Sequence, residues 1–212
     1  ILAGWIRDNP HIQAGYFHST GNGKKNALTE GIYRSKGEII LTTDADCVLP
    51  ADWISRMVMS FDPDTTMVTG LVKIQQEKSF FSKLQTLEFS SLMGSSMALF
   101  ALGFPIMCNG ASLAFRKMSF IDVNGYHGNL HIPSGDDEFL MRKLEKQFPG
   151  SVQSILWPAV VVATQPQPSL MSFIYQRLRW AGKWRANDSF YTKVLAMFIL
   201  AFQVTSILAM YL

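Results

Sequence analysis

The order of apolar and polar segments between residues 24 and 74 constrains the fold of this chain more than any other feature. Residues 24–35 have the apolar spacing of an amphipathic helix, and residues 38–43, EIILTT, form the apolar run of a parallel strand buried on both faces. A second helix is predicted at residues 52–61 and a second strand at residues 66–74. This alternation favours a doubly wound α/β sheet, which binds ligands at the carboxyl ends of its strands.

The rest of the chain supplies predicted elements in a less regular order. Short strands are expected at residues 12–17 and 110–116. Residues 136–148 begin with acidic side chains and continue with basic ones, which the dipole of a helix favours, and residues 168–186 read as a long amphipathic helix. One or two strands are expected between these helices, at residues 151–164. The length of 212 residues fits a single domain, or slightly more than one.

The first candidate site is the carboxylate pair Asp44 and Asp46, which directly follows a predicted strand. Two carboxylates in this pattern can face one hard cation such as Mg²⁺ or Mn²⁺, with substrate phosphate oxygens completing its shell. A helix cap or an Asx turn is the alternative for D-x-D taken alone. Lys24 follows a glycine-rich turn at a helix start, where a phosphate can bind. Cys47 reads as a small packing residue beside the carboxylates.

The second candidate site is the acidic pair Asp136 and Asp137 in the segment SGDDEF. Capping explains one carboxylate at a helix start, and both can complement the helix dipole. In the functional interpretation, one of the two accepts a proton from a substrate hydroxyl. His127 and His131 precede this pair, but Gly128 and Pro133 predict a loop, so we interpret them as loop histidines instead of metal ligands.

The third candidate site is the segment QRLRW, in which Gln176, Arg179 and Trp180 share one face of the predicted helix. A guanidinium binds anions and an indole stacks on sugar rings, so this face suits phosphates and sugars. The alternative is a helix beside a membrane, with arginine facing lipid headgroups and tryptophan as an interfacial anchor.

Two uncharged stretches suggest a membrane. Val194–Leu212 is 19 residues long, which at about 1.5 Å per residue approaches the ~30 Å hydrocarbon core. Basic residues precede it, so the domain before it is expected in the cytoplasm. Phe89–Cys108 carries serine, glycine and proline, and we expect a helix at the interface or under a substrate groove. The net charge of +3 and the lack of a dense basic face argue against nucleic-acid binding.

The order of these motifs resembles the membrane-bound family 2 glycosyltransferases, which have the GT-A fold. GKKNAL and GEIILTTDAD are similar to the family's GK-x-x-AL and D-x-D segments, and NGASLAFRK to its strand before the acceptor region. QRLRW matches Q-x-x-R-W, and SGDDEF stands where an ED pair is usual, with Asp136 in place of the glutamate. The resemblance covers essentially the whole chain but lacks the family's opening strand, which carries part of the donor pocket.

This resemblance implies an α/β fold of the GT-A kind with a Rossmann-like mixed sheet, truncated at its N-terminus. It implies a catalytic domain at residues 1–188 and a transmembrane helix at residues 189–212, cut at its end. The implied activity is inverting transfer of a sugar from a nucleotide-diphosphate sugar to a lipid or polysaccharide acceptor. The implied setting is the cytoplasmic face of a membrane.

Each candidate residue receives a role in this interpretation. Asp46 binds a divalent metal, Mg²⁺ or Mn²⁺, and Asp44 contacts the metal or the donor. Lys24 and Arg179 assist at the donor phosphates, and Asp137 is the catalytic base. The remaining candidates hold the acceptor or the sugar: Asp136, Gln176 and Trp180.

Two other functions fit parts of the sequence. DADCV also matches the signature of haloacid-dehalogenase-like phosphatases, in which Asp44 would be the nucleophile and residues 135–137 a late acidic motif. That interpretation leaves QRLRW and the apolar C-terminal stretch unexplained. A membrane-anchored subunit that keeps the fold without the chemistry is the non-enzymatic alternative.

Overall fold

The structure is a computed structural model that describes residues 2–75, 77–130, 132, 134–185, 197, 201 and 205. Within these residues the helices are α1 Leu2–Asp8, α2 Lys24–Arg34, α3 Trp53–Met59, α4 Phe80–Ala101, α5 Lys117–Asp122, α6 Asp136–Gln147 and α7 Leu170–Arg185. The strands are β1 Ile39–Thr42, β2 Cys47–Val48, β3 Met67–Gly70, β4 Val72–Ile74, β5 Leu113–Arg116, β6 Val152–Ile155 and β7 Val162–Thr164. Short 3₁₀ turns lie at Gly110–Ser112 and Pro158–Val160.

The main sheet has four strands in the order β1-β5-β3-β6. Strand β5 is antiparallel to both of its neighbours, β1 and β3, whereas β3 and β6 are parallel. Strands β1, β3 and β6 run in the same direction, as the early α/β alternation predicts, and β5 runs against them, which gives the mixed sheet that the family resemblance implies. The chain inserts β5 between the two strands that are successive in the early α/β alternation.

The single strand expected at residues 66–74 is two strands in two different sheets. At Leu71 the chain passes from β3 into β4, which belongs to a second sheet in the order β2-β7-β4. Gly70 permits a close approach here, because a Cβ at this residue would lie 2.4 Å from Ser112 Oγ. The second sheet pairs β2, the strand that follows the D-A-D turn, with β7.

The strand expected at residues 12–17 is not formed. Among the described residues no strand pairs with this segment, and a strand requires a hydrogen-bonded neighbour. Phe17 instead lies against Gly31, and the Arg34 guanidinium is 4.3 Å from the centre of its ring. Every residue from 12 to 17 is exposed, and the segment meets α2 through the Phe17 ring without joining a sheet.

Apolar side chains pack on both faces of the main sheet. One cluster includes Trp53, Met57 and Val68, and Trp53 Nε1 donates to Ser112 Oγ at 3.1 Å. The other cluster includes Phe115 and Leu140 and joins the sheet to α2, α5 and α6. The sheet thus fixes α2 and α6, whose first residues carry candidate site residues, relative to the end of β1.

Helix α4 lies along the second sheet instead of standing apart from the domain. Ser79 caps it by accepting from Ser82 N at 3.1 Å, and its buried stripe includes Gln85, Phe89 and Met93. Among the described residues, no helix combines the length and the apolar character that a membrane span requires. The transmembrane helix expected at residues 189–212 lies outside the described residues, apart from three isolated positions.

Candidate functional site

Lys24, the first residue of α2, links the two acidic motifs. Its Nζ lies 3.3 Å from Asp44 Oδ1 and 3.2 Å from Asp136 Oδ2. Partial burial acts to lower the pKa of Lys24, but the negative charges of Asp136 and Asp44 outweigh it and raise that pKa above its usual value. The side chain therefore stays a cation between two carboxylates that are 92 residues apart in the sequence.

The D-A-D segment forms a tight turn between β1 and β2. Cys47 N donates to Asp44 O at 3.2 Å, which closes the turn. Asp46 is exposed, and the Asp44 side chain is 46% exposed. The turn interpretation and the ligand interpretation are compatible here, because the backbone closes the turn and leaves both carboxylate groups accessible.

Two backbone amides hold the carboxylate of Asp137. Its Oδ2 accepts from Gly110 N at 2.9 Å and its Oδ1 from Glu138 N at 2.8 Å. The carbonyl of the same Gly110 accepts from Thr42 Oγ1 at 2.9 Å. The backbone of Gly110 thus connects the end of β1, just before the D-A-D turn, to the carboxylate predicted to be the base.

Two lysines hold the loop that leads into the acidic pair. The buried Lys25 donates from Nζ to Asn129 O at 2.7 Å and lies 4.9 Å from the Phe139 ring centre. Lys143 Nζ donates to three carbonyl groups of this loop, those of Val123, Gly125 and His127. The loop ends at Gly135, whose φ of 80° suits glycine, and α6 then starts with Asp136. His127 takes part in this loop through its carbonyl group, and His131 lies outside the described residues.

Helix α7 reaches the same region through its backbone. Ser134 Oγ, two residues before the acidic pair, donates to Arg179 O at 3.2 Å. The Arg179 side chain is exposed, and the ion pairs between Lys24 and the carboxylates do not include it. Trp180 is half-buried, with its ring 6.1 Å from that of Phe89, and Gln176 is also half-buried. The structure therefore brings together Lys24 and both acidic motifs and sets α7 beside them.

Tyr126 is a neighbour of the acidic pair that the sequence analysis missed. It is 3% exposed, and burial together with the charges of Asp136 and Asp137 raises the pKa of its phenol. The Thr42–Gly110 link was missed as well, since Gly110 contributes only its backbone. Asn109, whose side chain accepts from Ala111 N at 3.0 Å, gives a local signal for the turn but none for the contact between Gly110 and Asp137.

The carboxylates of the D-A-D turn are suited to a divalent cation that takes its other ligands from a substrate. The described residues contain no grouping of three or more His, Cys, Asp or Glu side chains placed to hold a metal by themselves. Mg²⁺-type ions are commonly held by one or two carboxylates with waters and phosphate oxygens. Asp44 and Asp46 supply that number of carboxylates on one accessible turn.

Cys47 has the character of a packing residue. Burial and the neighbouring Asp46 carboxylate raise the pKa of its thiol, and Sγ lies 3.8 Å from Asp46 Oδ1. A raised pKa reduces the thiolate fraction that a nucleophile requires. Its strand, β2, pairs with β7 in the second sheet, where Cys47 lies opposite Thr164.

Comparisons with known proteins place the chain among enzymes that handle sugars. Residues 8–183 match the sequence profile described as "Glycosyltransferase like family 2". A poly-β-1,6-N-acetyl-D-glucosamine synthase of Staphylococcus epidermidis is 27% identical over 201 residues, covering 90% of this chain and 47% of the synthase. The synthase of the same name from Staphylococcus aureus strain COL is 33% identical over 107 residues, covering 49% of this chain and 26% of that protein. The chain thus spans about half the length of the first relative, and its match to the second covers about a quarter of that protein.

Among solved structures, a mannosyltransferase from Pyrobaculum calidifontis in complex with GDP-Man and Mn²⁺ is similar in fold. The TM-score is 0.59 at 21% identity, over 89% of this chain and 51% of that protein. This likeness concerns the fold, and it supports the mixed α/β architecture of the GT-A kind that the sequence predicts.

Proposed function

This chain belongs to glycosyltransferase-like family 2, and from that premise we propose that it transfers a sugar from a nucleotide-diphosphate sugar to a glycan or lipid acceptor. The observation that carries the proposal is the Lys24 ammonium group, which lies within 3.3 Å of a carboxylate from each acidic motif. A cation among acids at the end of a strand suits a site that must take in a diphosphate and later deprotonate a hydroxyl group.

The donor end of the site consists of Lys24, Asp44, Asp46 and Arg179. A divalent ion held by Asp44 and Asp46, Mg²⁺ or Mn²⁺, would neutralise charge on the leaving diphosphate. Lys24 is placed to contact the same phosphates, since its ammonium group already lies beside Asp44. Arg179 is the second cation assigned to the phosphates, and its exposed side chain on α7 is accessible to a ligand.

Asp137 is assigned to the proton transfer. Two backbone N–H groups orient its carboxylate, so it does not need to reorganise when a hydroxyl group approaches. Removal of the acceptor proton by Asp137 promotes attack on the anomeric carbon from the face opposite the diphosphate. In-line attack of this kind inverts the anomeric configuration.

The acceptor end consists of Asp136, Gln176 and Trp180. Trp180 offers an aromatic face and Gln176 a carboxamide on the adjacent turn of α7, and this pair suits a sugar ring with its hydroxyl groups. The names of the Staphylococcus relatives support a growing polysaccharide of amino sugars as the acceptor class.

An assay of the complete protein in membrane vesicles tests this function. Radiolabelled nucleotide-diphosphate sugars are offered one at a time, and the products are separated into free sugar, lipid-linked sugar and polymer. We expect one donor to give an acceptor-bound product, and EDTA to stop its formation until Mg²⁺ or Mn²⁺ is restored. Release of inorganic phosphate through a covalent intermediate on Asp44, without sugar transfer, would instead favour the phosphatase.

The membrane setting is part of the same proposal. Helices α4 and α7 expose large apolar side chains, among them Phe80, Leu87, Leu170, Tyr175 and Leu178. Apolar side chains on the outside of two neighbouring helices suit the interface of a bilayer. This supports a catalytic domain at residues 1–188 that lies against the cytoplasmic face, with the transmembrane helix expected at residues 189–212 as its anchor.

Limited proteolysis of membrane vesicles tests the membrane setting. The complete protein with Leu87 and Leu178 replaced by Gln is compared with a control in which the exposed Ile54 and Met59 of α3 are replaced by Gln. At neutral pH, limited proteolysis reports whether α4 and α7 are protected by lipid while the expected anchor keeps the protein on the membrane. We expect protection in the control and increased cleavage in the variant of α4 and α7. Equal cleavage would remove these helices from the interface.

A further inference from the structure

The arginine at the second position of QRLRW, Arg177, contacts side chains of both α4 and α7. Its Nε donates to Glu88 Oε1 at 2.9 Å, and its Nη2 donates to Glu88 Oε2. The two side chains are 20% and 17% exposed, so this bidentate pair is largely withdrawn from water. Glu88 belongs to α4, and the pair therefore connects α4 and α7 with the geometric precision that exposed pairs lack.

Arg177 also contacts the two neighbours on α7 that we assign to the acceptor. Its Nη1 donates to Gln176 Oε1 at 2.5 Å. Its guanidinium lies 4.3 Å from the ring centre of Trp180 and 4.3 Å from that of Phe173. Cation–aromatic contacts at this distance fix the ring position relative to the charge.

We propose that Arg177 is the positioning residue for the acceptor end of the site, with Glu88 of α4 as its support. A guanidinium group only donates hydrogen bonds, so the oxygen of the Gln176 carboxamide faces Arg177 and its N–H groups serve any further partner. The structure thereby presents Gln176 as a donor to an acceptor oxygen, beside a Trp180 ring held at a fixed distance. This inference rests on the proposed sugar transfer.

Arg177 thus has two separable effects. The ion pair with Glu88 docks α7 on α4, and any pair of opposite charges restores that attraction. Orientation of Gln176 and Trp180 requires a planar donor group at residue 177 itself. A charge exchange, Glu88→Arg with Arg177→Glu, keeps the first effect and removes the second, because a carboxylate cannot donate to Gln176 or attract the Trp180 ring.

Steady-state transfer by the complete protein tests the inference with four variants. These are Arg177→Met, Arg177→Lys, the charge exchange, and the control Arg56→Met. The control removes an arginine of α3 that lies 5.3 Å from the ring centre of Trp157. We expect Arg177→Met and Arg177→Lys to raise the acceptor KM by about tenfold or more with the donor KM unchanged. We expect the charge exchange to regain thermal stability relative to Arg177→Met but to keep the raised acceptor KM, and the control to match the wild type.

Three results would overturn the inference. The first is an acceptor KM in Arg177→Lys equal to that of the wild type, and this variant decides the question if Arg177→Met does not fold. The second is a charge exchange that restores the acceptor KM together with stability, since Arg177 would then act through docking alone. The third is a donor KM of Arg177→Met or Arg177→Lys that rises as much as the acceptor KM does. Absence of transfer by the wild-type protein is a different result, because it refutes the proposed function itself.

Discussion

At the scale of single residues, the central feature is the ammonium group of Lys24 between two carboxylates. Its contacts with Asp44 and Asp136 neutralise acids that would otherwise repel each other and a diphosphate. In the proposed function, the same group contacts the phosphates of the donor. The electrostatics of the site therefore depend on one side chain more than on either acidic motif alone.

Replacement of Lys24 by Met is expected to weaken donor binding. A hydrogen bond to a charged group is worth about 1.5–3 kcal/mol, so the donor Kd should rise about 10- to 100-fold. Titration calorimetry of the complete protein with the nucleotide-diphosphate sugar measures the change. The control is Lys36→Met, which removes an exposed lysine just beyond α2 and alters the net charge equally. Equal Kd values for the two variants would contradict a phosphate role for Lys24.

Alkylation of Cys47 is expected to be slow at neutral pH. Burial and Asp46 raise the pKa of the thiol, and a raised pKa lowers the thiolate fraction at every pH below it. The rate of reaction with iodoacetamide, followed by peptide mass spectrometry, should still be rising as the pH passes 9.0, the ordinary pKa of this group. A rate that levels off below pH 8 would show an activated thiol instead.

The sequence points to candidate side chains for the site but does not predict how they are held. The four aspartates of the two acidic motifs stand out because paired carboxylates at a strand end or a helix start have few explanations: a cap, a turn or a functional site. The support of Asp137 by the Gly110 amide is a backbone contact between distant segments, and no side-chain pattern reports it. Their proposed roles remain predictions that the variants above and below test.

At the scale of elements, the close approach of β3 to the turn before β5 depends on a missing side chain. A Cβ at Gly70 would lie 2.4 Å from Ser112 Oγ, the atom that accepts from Trp53 Nε1. The contact therefore couples the end of a central strand to a buried hydrogen bond. A glycine inside α4 provides the opposite case, since a Cβ at Gly94 would meet nothing within 4 Å.

Gly70→Ala and Gly94→Ala are expected to change stability in opposite directions. Crowding in the core should cost Gly70→Ala about 1–3 kcal/mol, whereas Gly94→Ala should gain up to about 1 kcal/mol from helix propensity. Urea unfolding gives both changes in the free energy of unfolding. A loss of stability in both variants, or in neither, would contradict this account of the β3 contact.

The boundaries of α2, α3, α6 and α7 follow from the sequence within a few residues, because apolar periodicity is a local signal. The helix expected at residues 89–108 lies earlier, at Phe80–Ala101, and α1 and α5 were not predicted. Helix α2 was expected at residues 24–35 and ends at Arg34, and α6 was expected at residues 136–148 and ends at Gln147. Strands were less predictable. Residues 12–17 have a strand pattern without a partner strand, and residues 66–74 read as one strand although Leu71 separates two.

At the scale of the whole molecule, the mixed sheet determines where the site lies. Insertion of β5 between β1 and β3 brings the NGAS turn to the end of β1, where the backbone of Gly110 bonds both Thr42 and Asp137. The alternation of elements indicates an α/β sheet but not this order, since strand order depends on contacts between distant segments. The family resemblance supplied the mixed sheet that the local pattern alone did not.

The whole account depends on one claim, that both acidic motifs serve a single pocket in which Asp137 takes the proton of the acceptor. Its most direct test is Asp137→Asn in the complete protein, with the exposed Asp122→Asn as control, measuring acceptor-dependent transfer and donor Kd on the same preparations. The account predicts that transfer falls about 10²- to 10⁴-fold in Asp137→Asn while the donor Kd stays at the value of the control. Transfer at the control rate, or loss of donor binding in parallel with transfer, would contradict it.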